Sequence, residues 1–194
     1  MAGFYPMHGK RIFDLILVVL SAIPLLAMAA CITLLYLVTA HYPVFFFSER
    51  TGLHESTFKM IKFRTLKQDL NLSLSERSFW LGSMLRLTNL DELPQVWNIL
   101  KGQMSWVGPR PLPVEYNEML STVEKKRYGV RPGITGWAQV NGKNELAWPK
   151  KFELDLEYVE RLSFGLDVRI IFRTVILLLR FKRDISLTES KLSK

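Results

Sequence analysis

Two adjacent carboxylates, Asp91 and Glu92, stand just ahead of a proline in the run Thr88-Asn89-Leu90-Asp91-Glu92-Leu93-Pro94-Gln95, amid chain rich in Arg and Lys. An ionised Asp can attack phosphorus, or it can bind a hard divalent cation such as Mg²⁺ that bridges to substrate phosphates, and neighbouring carboxylates can divide these jobs. The plainer reading is capping. Asn89 or Asp91 would cap a helix whose first turn tolerates Pro94 and whose dipole helps keep the acids ionised. The cations nearby favour phosphate chemistry. Arg86 lies five residues before Asp91, and Arg110 and Arg131 sit beside prolines in Gly108-Pro109-Arg110-Pro111 and Arg131-Pro132-Gly133. A guanidinium on rigid backbone loses less entropy on binding, and its planar fork suits phosphate oxygens, so these arginines read as anion clamps. Residues Gly133 to Gly142 then add glycines for close backbone approach, with Thr135, Gln139 and Asn141 as directional hydrogen-bonding groups of the kind a nucleotide or sugar requires. Loop turns without a ligand are the alternative there.

Other chemistries are disfavoured. His8, His41 and His54 show no metal-site spacing, and there is neither a Gly-rich phosphate or dinucleotide loop nor a serine nucleophile elbow. The single cysteine, Cys31, excludes an intramolecular disulfide and a multi-Cys zinc site. Lys+Arg 26 against Asp+Glu 18 gives +8, which favours anionic partners: phosphorylated substrates, acidic lipid headgroups or nucleic acid. At 194 residues the chain suits one domain plus an anchoring element.

The anchor is the apolar segment from Leu15 to Ala40, in which no residue carries a formal charge. As a helix at about 1.5 Å per residue it exceeds a hydrocarbon core of roughly 30 Å. Pro24 interrupts it and predicts a kink near residues 21 to 24, with Ser21 close enough to help satisfy the carbonyls set free. Lys10 and Arg11 precede the segment, and Arg50, Lys59, Lys62, Arg64 and Lys67 follow it, so the positive-inside tendency pulls both ends to the cytoplasmic face. A re-entrant hairpin satisfies both the charge and the kink; a kinked spanning helix is the ordinary alternative, and a cleaved signal peptide fits poorly because the apolar run continues to Val38. Beyond it, residues 43–47 and 57–63 read as short strands around a turn at Gly52. Residues 75–87 read as an amphipathic helix, interfacial or core-facing. Residues 166–183 read as a helix with Arg169, Arg173 and Arg180 on one face, suited to an anionic membrane surface or to solvent. The tail, 185–194, is polar. The division is therefore 1–41 anchor, 42–184 catalytic domain, 185–194 tail.

These residues, in order, resemble the small monotopic bacterial phosphoglycosyl transferases, the PglC-like catalytic domains of the bacterial sugar transferase family. The likeness runs from Lys10-Arg11-Ile12-Phe13-Asp14 through Lys62-Phe63-Arg64-Thr65, Leu90 to Gln95, Gly108 to Pro111 and Val130 to Gly136, to Leu166-Asp167-Val168. It implies a mainly α fold with small β elements (α+β): a re-entrant membrane helix hairpin, kinked at Ser21 and Pro24, plus amphipathic interfacial helices around a compact cytosolic catalytic domain on the inner membrane. It implies transfer of a phospho-sugar from a UDP-sugar to polyprenol phosphate (undecaprenyl phosphate), releasing UMP, with Mg²⁺ as cofactor and no nucleic acid partner. Asp91 would be the nucleophile and metal ligand, with Glu92 assisting as base or metal partner. Lys62, Arg86, Arg110 and Arg131 would hold phosphates, and polyprenol phosphate would attack a covalent Asp91 phosphosugar intermediate, giving ping-pong kinetics. Direct Mg²⁺-dependent transfer without a covalent intermediate and a non-enzymatic, membrane-anchored basic adaptor are the competing readings. Three positions depart from the family's usual pattern: Ala22 and Ile23 separate Ser21 from Pro24, Lys143 stands where Arg is common, and Leu66 replaces a frequent Met.

Overall fold

The computed structural model describes residues 3–40, 43–69, 71–142 and 146–179. It opens with a π-helical turn, Tyr5–Gly9, that runs into helix α1, Lys10–Val38; Tyr5 to Val38 is long and apolar enough to cross a membrane. The base of α1 is polar and buried. Lys10 donates to Asp167 Oδ2 at 2.7 Å, and Tyr5 and Tyr158 hydroxyls donate to the same carboxylate at 2.6 and 2.7 Å. Asp14 Oδ1 accepts from Ser105 Oγ at 2.8 Å and from the Trp106 amide at 3.1 Å, while Arg11 donates to the Ile99 and Leu100 carbonyls. Burying charge is tolerated only when it is paired and hydrogen-bonded, so this lattice fixes the helix base to the body.

Further along, Val18 joins a buried cluster with Phe58, Met60, Ile99 and Met104. Ile32 and Tyr36 join another with Phe63, Leu81 and Leu85, where the Tyr36 ring stacks on Phe63 and its hydroxyl donates to the Arg64 carbonyl. Between these two points Val19, Leu20, Ile23 and Leu26 stand out, Ile23 being 83% exposed. Pro24 lies inside the helix without ending it. The sequence expectation for Ser21 needs correcting. Its hydroxyl donates to the Leu17 carbonyl at 2.6 Å, whereas the carbonyl that Pro24 leaves without an amide partner is that of Leu20.

Strands β1, Phe45–Thr51, and β2, Thr57–Phe63, form an antiparallel hairpin with Phe45 opposite Phe63 and Thr51 opposite Thr57. β1 starts later and runs four residues beyond the expected 43–47, because pairing with β2 carries the polar Ser48, Glu49 and Arg50 along. The expected helix over 75–87 is two helices, α2, Leu74–Arg77, and α3, Trp80–Thr88, separated by extended Ser78 and Phe79, where Ser78 bridges to Leu66. α3 buries Leu81 and Leu85 and exposes Trp80 and Leu87, so it is core-facing on one side.

A 3₁₀ turn, Leu90–Gln95, leads into α4, Val96–Leu100. Strand β3, Ser105–Val107, pairs in parallel with β4, Gly133–Thr135. This contact explains the glycines. A Cβ on Gly108 would overlap the Arg131 carbonyl, one on Gly133 the Gly108 amide, and one on Gly136 the Gly108 carbonyl. They permit backbone to cross backbone, and Gly133 also lines a small pocket beside Glu92.

Helices α5, Trp137–Val140, α6, Trp148–Arg161, and α7, Phe164–Leu179, complete the body. α6 has no counterpart among the elements expected from the sequence. α7 begins two residues before the expected helix; Arg180 and the tail 185–194 lie outside the described residues. Two of the arginines expected on one face, Arg169 and Arg173, lie over the Trp137 ring at 5.9 and 5.2 Å, and Arg169 stays exposed. An outward stripe is apolar, Phe164, Val168, Phe172, Val175 and Leu179, at helical spacing. The expected class, mainly helical with small β elements, matches these elements.

Candidate active site

The 3₁₀ turn holds both acids in its first turn, entered from Asn89, a left-handed residue (φ 57°) that ends α3. Asn89 contributes no side-chain cap; its carbonyl accepts from the Glu92 amide at 3.3 Å. The two carboxylates then diverge. Glu92 Oε1 takes the cations, meeting Lys62 Nζ at 2.6 Å and Arg110 Nη2 at 3.5 Å. No described side chain hydrogen-bonds or ion-pairs with the Asp91 carboxylate. Burial pushes its pKa up to about 6, against the fields of Lys62, Arg110 and Arg86, which pull it down, while Glu92 adds to the rise. A helix terminus alone therefore does not hold Asp91 at an ordinary carboxylate value.

The cations arrive from separate elements. Lys62 comes from β2, and Arg86 from α3, where its Nε donates to Thr65 Oγ1 at 2.7 Å. Arg110 follows β3 and is braced from behind, since Arg127 Nη2 donates to the Arg110 carbonyl at 2.9 Å and to Asp155 Oδ2 at 2.6 Å. Arg127 and Asp155 are both buried. Burial raises the Asp155 carboxyl, and Arg127 opposes that rise. Arg131 is not brought to the dyad: its Nε donates to the Gly102 carbonyl at 2.8 Å, tying β4 to the turn after α4.

A cavity of about 290 Å³ opens beside the dyad, bounded near it by Asn89, Glu92 and Arg110 and farther in by Gln139, Trp148 and Lys151. Thr135 also lines it, its hydroxyl 2.7 Å from that of Thr174. Both polar atoms of the Gln139 side chain are buried without a hydrogen-bond partner, so this amide has a donor and an acceptor to offer a guest. Asn141 points elsewhere; it donates to the Trp137 carbonyl and accepts from Arg173. Lys143 lies outside the described residues. Trp148, Lys151, Arg127 and Asp155 escaped the sequence reading, although the three α6 residues stand at helical spacings of three and four.

No group of three or more His, Cys, Asp or Glu able to hold a metal exists among the described residues. Mg²⁺ is usually held by one or two carboxylates completed by substrate phosphates and water, and of the two acids Asp91 is the one whose carboxylate no described side chain engages.

A family model described as bacterial sugar transferase matches residues 5–181. The chain belongs to the bacterial sugar transferase family. As such it is an enzyme, a transferase. It is 43% identical over 175 residues to an uncharacterized sugar transferase, EpsL, of Bacillus subtilis, covering 86% of this chain and 85% of that one. It is 39% identical over 188 residues to a UDP-glucose:undecaprenyl-phosphate glucose-1-phosphate transferase of Xanthomonas campestris and 38% over 181 residues to one of Escherichia coli. Those matches cover 89% and 86% of this chain but only 39% of either relative, so this sugar transferase spans well under half the length of both.

Proposed function

We propose that the protein is a phosphoglycosyl transferase that moves a sugar 1-phosphate from a UDP-sugar to a polyprenol phosphate such as undecaprenyl phosphate, releasing UMP. The reading is carried by one observation: Glu92 engages the dyad's direct cation contacts, and no described side chain pairs with the Asp91 carboxylate, whose neighbours Asn89, Leu90 and Glu92 line the cavity. The relatives named for glucose-1-phosphate transfer to undecaprenyl phosphate support the substrate classes.

In the first half-reaction a carboxylate oxygen of Asp91 attacks the sugar-bearing phosphorus. The bond from that phosphorus to the bridging oxygen breaks, UMP departs with the electron pair, and an aspartyl phosphosugar remains. Lys62, Arg86 and Arg110 offset charge on the phosphoryl oxygens, Arg127 keeps Arg110 in place, and Glu92 orients Lys62 and Arg110. In the second half-reaction an oxygen of the polyprenol phosphate attacks the same phosphorus and the Asp91 carboxylate leaves, restoring the enzyme. Asp91, beside Glu92, would hold Mg²⁺, which when bound neutralises diphosphate charge. Thr135 and Gln139 offer hydrogen bonds to the rest of the donor.

The reaction is assigned to the cytoplasmic face of the bacterial inner membrane, with α1 as a re-entrant hairpin. Val18 and Tyr36 would lie about 27 Å apart on a straight helix. The first cluster meets β2 at Phe58 and Met60 and the second at Phe63, three to five residues or about 10–17 Å apart along the strand. A bend at Pro24 reconciles the two spans and lets lipid cover Val19 to Leu26. The apolar stripe of α7 suits the interfacial plane.

The test is exposure to UDP-sugar and Mg²⁺ without acceptor. We expect one equivalent of UMP per enzyme and a phosphosugar adduct on the Asp91 peptide by mass spectrometry. An active preparation that shows no adduct establishes direct transfer instead. For topology, His8→Cys and Lys67→Cys in a Cys31→Ala background should both be labelled only from the cytoplasmic side.

A further inference from the structure

Behind Glu92 lies a second, smaller chamber of about 50 Å³, walled by Arg50, Met60, Lys62, Glu92, Gln95 and Arg110. Glu92 and Arg110 belong to the walls of both chambers, so the two share a partition beside Asp91. Three cations face one carboxylate across the small one. Gln95, which ends the turn that carries Asp91, is 1% exposed, and its Nε2 has no hydrogen-bond partner. Besides Glu92, the charged side chains of this wall are all cations and the Gln95 amide turns an unpartnered donor to it, alongside Met60, Pro111 and Gly133, so a guest must be rich in acceptors and anionic. At about 10–15 Å³ for each water-sized group, the chamber of about 50 Å³ admits roughly three to five, a range that includes the four oxygens of one phosphate.

We propose that this chamber is a subsite for a single phosphate group, held by Arg50, Lys62, Arg110 and the Gln95 amide, and separate from the larger cavity. The subsite stands on this geometry; which substrate brings the phosphate rests on the transfer reaction proposed above. Two sources share the chemistry, the headgroup of the polyprenol phosphate and the diphosphate of the nucleotide donor, because both must pass Asp91 in turn.

The experiment uses the full chain in detergent and radiolabelled inorganic phosphate in equilibrium dialysis. Arg50→Gln and Gln95→Glu should each weaken phosphate binding about tenfold, the first by removing a charge-assisted bond and the second by facing the anion with a carboxylate. Lys150→Gln, at an exposed surface cation, should stay within about twofold and controls for net charge. Steady-state arms then assign the source. A raised KM for polyprenol phosphate with an unchanged KM for UDP-sugar identifies the acceptor; the reverse identifies the donor; either supports the subsite. Unchanged phosphate binding in a folded Arg50→Gln protein overturns it, even where Gln95→Glu does not fold. A chain that binds phosphate here yet releases no UMP refutes the transfer reaction and leaves the subsite standing.

Discussion

Replacing Lys62 by Gln should move the acidic limb of the pH profile, and the direction follows from the electrostatics around Asp91. In the wild-type protein burial pushes that carboxyl up to about 6 while Lys62 gives the largest of the opposing pulls. Only the ionised form attacks phosphorus, so competence is present above about pH 6 and lost below it. Between pH 7 and pH 5 the ionised fraction falls from about ten elevenths to one eleventh, roughly a tenfold loss in kcat/KM for UDP-sugar. An opposite charge close to a carboxylate lowers its pKa by about one to three pH units. Without Lys62 the limb should therefore rise to about pH 7 or above, and Glu92, stripped of its 2.6 Å partner, adds to the rise. The assay is the initial rate of UMP release in the absence of acceptor, at fixed Mg²⁺ from pH 5 to 9. The variant should recover activity between pH 6.5 and 8.5 while the wild type is flat there. A limb at the wild-type pH, or a uniform loss with no recovery at high pH, would refute the coupling and leave Lys62 a phosphate contact alone.

Asp91→Asn should abolish both adduct formation and the UMP burst while leaving the fold intact by circular dichroism, because the amide cannot serve as the nucleophile. Arg127→Met strands Asp155 without its buried partner and should cost about 3–5 kcal/mol in denaturant unfolding, whereas Arg127→Met with Asp155→Leu should regain much of that loss. Gly133→Ala forces a methyl into the Gly108 backbone and should lower thermal stability by an amount equivalent to about 1–3 kcal/mol or more. Arg131→Gln should leave the KM for UDP-sugar within about twofold, since the guanidinium is engaged at the Gly102 carbonyl; a tenfold rise would show that it reaches a phosphate after all.

The acid pair, the β1–β2 hairpin and Arg110 could be read in the sequence because each depends on local chemistry: carboxylates before a proline, short runs rich in aromatic and β-branched residues around a turn, a guanidinium on stiff backbone. Arg131 carries the same local signature as Arg110, and only the chain crossing between β3 and β4 distinguishes them, turning one toward Glu92 and the other toward a carbonyl. α6 was invisible to hydrophobic periodicity because its buried side includes Lys151 and Asp155, whose partners lie elsewhere in the chain or on the previous turn. The arginines of α7 gave the right period and an unforeseen neighbour, since Arg169 and Arg173 lie over Trp137, about thirty residues upstream. Gln95 and Arg50 gave no sign of a binding role: a motif glutamine and a flanking cation acquire that meaning only when the chamber between them exists.

The glycine-lined crossing of β3 and β4 bears on how such an enzyme could be re-engineered. With Gly108, Gly133 and Gly136 in backbone contact, the segments carrying Arg110 and Thr135 have no slack to move independently. Chimaeras between homologous proteins should exchange residues 105–111 and 131–137 as one cassette, and a swap of either alone should misfit. Diversification of sugar preference is then left to the opposite side of the large cavity, where Trp148 and Lys151 project from a helix free of that constraint.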